Sequence, residues 1–171
     1  MKTIISLIFV LAYAGTLAAQ PSIKIGDYTL VLAFVPTNSA DSLREYIPKG
    51  ESLDHWSRLA SVRIFTNETS PADYLDRLGK KVIRTNPAAR AETLVSDMTG
   101  DQILDFLMFT KDDKIAEWNL MRARYEKGKG LIVFQYAARF YKIDKNLAPA
   151  IKAERMKMVD PFAKASFEES K

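Results

Sequence analysis

Four β-rich runs separated by short polar turns, at 92–98, 103–110, 115–125 and 131–141, restrict this chain more than any other feature. Their connections, Thr99-Gly100-Asp101, residues 111–114 and Lys127-Gly128-Lys129-Gly130, are too short to carry a crossover. Successive runs must therefore pair as antiparallel neighbours. Trp118 and Leu120 share parity with Arg122 and Arg124, while Met121 and Tyr125 take the other face. Apolar residues on both parities predict a sheet covered partly on each side.

The upstream half is read against that meander. Residues 28–35 are rich in β-formers and nearly continuous in apolarity, the pattern of a central strand covered on both faces. Turn residues at 36–41 fold it onto 43–47 as a hairpin, and Ile23 and Ile25 can add a short strand before it. Pro48 and Gly50 end the pairing. Ser52 is a good helix N-cap, and Leu53, Trp56, Leu59 and Ala60 fall at helical spacing behind it. A short helix anchored by Trp56 is expected there, followed by a strand at 61–66. Ser70-Pro71-Ala72-Asp73 is a capping-box variant and starts a helix to about residue 83, striped by Tyr74, Leu75, Leu78 and Val82. A last helix over 146–159 is stopped by Asp160-Pro161. The order ββ-α-β-α-ββββ-α predicts an α+β domain, an antiparallel sheet of about six or seven strands with helices packed on it.

Residues 1–19 read as a cleaved signal peptide: Lys2, a nearly unbroken apolar stretch from Ile4 to Gly15, and small residues at Ala18 and Ala19. The apolar stretch is too short to span a bilayer comfortably, so no stable membrane insertion of the mature chain is expected. Residues 20–171 then form one domain, periplasmic or secreted. The whole chain carries a formal charge of +4, and losing Lys2 lowers it by one. That balance is too mild to argue for nucleic acid, and no nucleic-acid partner is expected. The chain contains no cysteine, so packing must supply its stability.

Candidate chemistry is sparse. His55 is the single histidine, and a hydrolase reading would use it with Glu51 or Asp54. Neighbours on a helix point about 100° apart, which keeps Asp54 from orienting His55. With one histidine and no cysteine, no metal or other cofactor is expected. No catalytic residue is assigned. Tyr46, Glu51, His55 and Trp56 at the corner, with Arg122 and Arg124 on the meander, are the candidate binding residues.

The run Glu45-Tyr-Ile-Pro-Lys-Gly-Glu-Ser-Leu-Asp-His-Trp-Ser-Arg-Leu59 resembles a motif of small signal-bearing bacterial proteins of uncharacterised function. In that motif Tyr-[Ile/Val]-Pro-x-Gly-Glu-[Ser/Thr] precedes a helix bearing Trp-[Ser/Thr]. The resemblance implies an exported domain and carries over no catalytic residue. The element order is also similar to the Mog1/PsbP-like α/β/α sandwich, whose members are generally accessory or binding proteins. The expected function is an exported, non-catalytic binding or accessory domain for a protein or small-molecule partner. The alternatives are a hydrolase built on Glu51, Asp54 and His55, and an immunity or inhibitor protein.

Overall fold

The structure, a computed structural model, describes residues 20–36, 42–97 and 99–166. The expected signal peptide lies outside them. Eight strands and two helices follow in the order β1 (Ser22–Ile25), β2 (Tyr28–Phe34), β3 (Ser42–Pro48), β4 (Arg58–Phe65), α1 (Pro71–Thr85), β5 (Arg90–Val95), β6 (Gln102–Phe109), β7 (Ala116–Glu126), β8 (Gly130–Phe140) and α2 (Leu147–Lys164). The strands form one antiparallel sheet in the spatial order β1-β2-β3-β4-β8-β7-β6-β5. The fold is α+β, and the sheet has eight strands rather than six or seven because Ile23 and Ile25 do form an edge strand.

Alternation along β6, β7 and β8 divides the core between the two faces. Ile103, Trp118, Leu120, Phe134 and Tyr136 join Met158 and Phe162 of α2 on one face. Leu104, Phe106, Ala123, Leu131 and Val133 join Leu75 and Val82 of α1 on the other. The meander and its hairpins stand where the turn residues put them, and Ser70 caps α1 by accepting from the Asp73 amide at 3.3 Å. Gly130 closes the β7–β8 hairpin with φ +100°, where a Cβ would lie 2.3 Å from the carbonyl oxygen of Phe65. Only glycine fits that approach.

Three expectations are corrected. Residues 52–60 form no helix: Ser52 and His55 exchange backbone hydrogen bonds at 3.3 and 3.1 Å, and β4 begins at Arg58. The helical spacing of Trp56 and Leu59 was genuine burial of another origin, since both pack with Ile47 and Ala137. The run at 28–35 is not central. β2 lies second from the edge, beside a four-residue β1 and a bulge at Leu32/Phe34, and Phe34 and Val35 are exposed. The strand covered on both faces is β8. Finally, α2 runs through Pro161 to Lys164, because burial of Met158 and Phe162 continues the same face of the helix past the proline.

Candidate functional site

The corner between β3 and β4 is built by its own polar groups. The Glu51 amide donates to the Pro48 carbonyl at 3.1 Å, which closes the turn around Gly50. Both oxygens of the Glu51 carboxylate accept from Ser57, one from its amide at 2.5 Å and one from its hydroxyl at 2.6 Å. Glu51 therefore shapes the loop. Ser52 Oγ accepts from the His55 amide at 3.2 Å, a turn-forming role in place of the expected helix cap.

From β8 the chain reaches back to hold this loop. Tyr141 accepts from the Trp56 amide at 3.0 Å and donates to the Trp56 carbonyl at 2.8 Å. The His55 ring stacks on Tyr141 with centroids 4.2 Å apart. Arg139 lies 3.9 Å over the Trp56 ring and donates to Glu117 at 2.8 Å. Trp56 is buried beneath this arrangement, while His55 and Asp54 are exposed. Tyr141, Arg139 and Glu117 are corner residues that no local pattern near residue 50 could announce.

The other candidates lie elsewhere. Tyr46 precedes Ile47 in β3 and so points to the opposite face, where it is fully buried in the core under α2. Arg122 is buried, and its guanidinium donates to the carbonyls of Ala163 and Ala165, the latter at 2.6 Å. It closes the end of α2, where exposed carbonyls and the helix dipole favour a cation. Burial lowers its pKa, and the Asp101 charge opposes that shift. Arg124, one pair further along β7, is half exposed and lines a cavity of about 330 Å³ with Arg44, Lys129 and Val62. The structure thus gathers Glu51, His55 and Trp56 into one corner, leaves Tyr46 behind the sheet, and sets Arg122 and Arg124 on that same far face.

Two more acid–base clusters pin α2 to the sheet. Glu154 accepts from Arg58 and Tyr136, and Asp105 accepts from Trp118 and Arg155. No group of three or more His, Cys, Asp or Glu among the described residues could hold a metal ion, and no described helix is long and apolar enough to cross a membrane. The corner borders an opening of about 420 Å³ lined by Ile47, Pro48 and Glu51, and two grooves flank β5, one of about 410 Å³ beside α1 and one of about 360 Å³ beside α2.

A family model matches residues 17–167, from ahead of β1 to past the end of α2. The chain belongs to that uncharacterised family. The family unit is therefore the whole sheet with both helices, not the corner alone. No curated protein matches the chain.

Glu45, opposite Ser61 on β3, shows what burial costs one of these acids. Burial raises its pKa above the ordinary 4.5, and the Arg63 charge only partly offsets that. The fold thus prefers the neutral acid. Its charge reduces stability above the folded-state pKa, and the penalty is gone once pH falls below the unfolded value. Glu45→Gln should raise Tm at pH 7 by ~1–2 °C and lose that advantage below pH 4.5. Thermal unfolding of both proteins across that range checks it; an equal gap at every pH would refute it.

Proposed function

We propose that this chain is an exported, non-catalytic binding or accessory domain that meets a protein or small-molecule partner in the periplasm or outside the cell. One observation carries the reading. Glu51, Ser52 and Ser57 at the corner and Glu154 and Arg155 of α2 are engaged in holding the fold, whereas grooves with apolar floors flank both faces of β5. Concave surfaces that set an apolar floor among charged groups, here Lys80, Arg84, Glu92, Arg90 and Arg155, are what binding uses. The leader pattern at 1–19 supports export. The helix–sheet–helix layering supports the finer comparison with the Mog1/PsbP-like sandwich. The family motif at 45–59 fits the same reading, although its tryptophan follows a turn here in place of riding on a helix.

Against hydrolysis, Glu51 is spent on Ser57, and His55 lies flat on Tyr141 at the surface. His55→Ala should leave Tm within ~1 °C of the parent, since exposed substitutions rarely cost more than a few tenths of a kcal/mol. The purified mature chain should show no turnover of esterase, glycosidase and peptidase substrates. Turnover that disappears in His55→Ala would overturn the reading in favour of a hydrolase. Cell fractionation should find the chain outside the cytoplasm, clipped after Ala18 or Ala19.

A further inference from the structure

We infer that β5 is a strand-addition edge, along which a partner polypeptide docks in extended conformation and seats adjacent side chains in the grooves on either face of the sheet. This rests on the binding-domain reading and names the partner's chemistry.

β5 ends the sheet, and its six residues have no strand on their outer side among the described residues. An edge of this kind leaves every second amide and carbonyl without a ladder partner, a pattern that another extended main chain complements along its length. The opposite edge is blunted. β1 has four residues, Ile23 and Ile25 are each 1% exposed, and the adjoining Gly26 lies against Pro161 of α2. β5 carries no such cover, and its Val95 is 63% exposed.

The two grooves meet at the same place on this edge, since Ala91 and Glu92 border both. On the α1 side Leu75 and Leu104 form the floor and the half-exposed Ile83 the wall. On the α2 side the apolar lining is Leu107, Trp118 and Ile151. Successive residues of a strand point to opposite faces, about 3.3 Å apart along it. A strand added beside β5 would therefore send one residue into each groove, and the apolar floors, set between charged rims that include Lys80, Arg84, Arg90 and Arg155, select large apolar side chains.

A second copy fits poorly. Ala91 packs with the α1-side core and Leu94 with the α2-side core, which places Ala91, Thr93 and Val95 on the α1 face. A copied β5 would offer that 410 Å³ groove nothing larger than valine; on the other face its Leu94 is held against its own core, leaving the charged Arg90 and Glu92 to meet the groove.

Selection of a random ten-residue peptide library on the biotinylated mature chain tests the assignment. Selected peptides should carry large apolar residues at two adjacent positions within a β-branched context. Thr93→Trp, which fills the α1-side groove at an exposed position, and Ile83→Glu should each weaken the synthetic peptide at least tenfold. His55→Ala should bind as the parent does. N-methylation of alternate peptide amides should abolish binding, while methylation of the intervening amides is tolerated. Indifference to Thr93→Trp, or tolerance of methylation at every amide, would overturn strand addition. Peptides that bind but are lost only in His55→Ala would overturn it too, while leaving the binding-domain reading standing. Failure to select any peptide, or self-association of the chain that Thr93→Trp abolishes, would also overturn it. Hydrolytic turnover lost in His55→Ala would remove the underlying reading instead.

Discussion

Glu154→Ala is expected to destabilise the fold by about 3 kcal/mol, because it strips a partly buried cation of its partner. Glu154 is 8% exposed and faces the seam between β4 and β8. One of its oxygens accepts from Tyr136 Oη at 2.5 Å and from Arg58 Nε at 3.0 Å; the other accepts from Arg58 Nη2 at 3.0 Å. Burial works against the Arg58 charge, but the bond to Glu154 and its charge outweigh that and hold the guanidinium above its ordinary pKa. Burial, and then the same carboxylate, push the Tyr136 phenol far up, so it stays neutral and donates. Removing Glu154 leaves both donors facing a void under α2. Urea denaturation should register the full loss, with Tm falling by on the order of 10 °C. Tyr136→Phe, which removes one donor and no charge, should cost only about 1 kcal/mol. Equal, small losses for the two variants would mean that the pair contributes nothing to holding the helix.

Trp118→Ala should cost as much or more, about 3–5 kcal/mol, the range for emptying a large aromatic site in a core. Trp118 is 1% exposed and packs edge-on to Tyr136 at 6.1 Å. Its indole N–H donates to Asp105 Oδ1 at 2.6 Å, and Asp105 Oδ2 accepts from Arg155 at 2.5 Å. The alanine variant therefore opens a cavity and takes a donor from a buried carboxylate. Trp118→Phe separates the two effects: it keeps most of the packing and should cost about 1–2 kcal/mol for the lost hydrogen bond. The double variant Trp118→Phe/Asp105→Ala should be less damaging than the sum of its parts, because the two groups are bonded to each other. Strict additivity in guanidinium denaturation would argue against that coupling.

What the sequence made legible follows from how local each interaction is. The hairpins of the meander and the cap at Ser70 depend on residues a few positions apart, and both stand as read. The parity shared by Trp118, Leu120 and Arg122 was visible, but only the packed helix shows that Arg122 lies under its end. The β4–β8 pairing joins residues 58–65 to 131–138 and leaves no trace in any short window. For the same reason β2, with its strongly apolar run, reads as more central than it is. At the corner the end of β3 at Pro48 and Gly50 was legible, but the stretch after it, with His55 and Trp56, reads as a helix and is a turn. That turn was not legible, because Tyr141, which holds Trp56 at both backbone atoms, lies 85 positions away. A periodicity count cannot tell a buried tryptophan on a helix from one tucked beneath a turn by a distant phenol.

The seam between β4 and β8 also governs when the molecule can come into being. The first four strands have no neighbour for β4 until the hairpin bearing β8 has been made, and the helix that packs across β1, β7 and β8 is the last described element. Closing so long a loop is entropically costly, and topologies dominated by such distant pairings assemble slowly. The sheet of this chain can therefore be completed across the β4–β8 seam only after its C-terminal third has been synthesised.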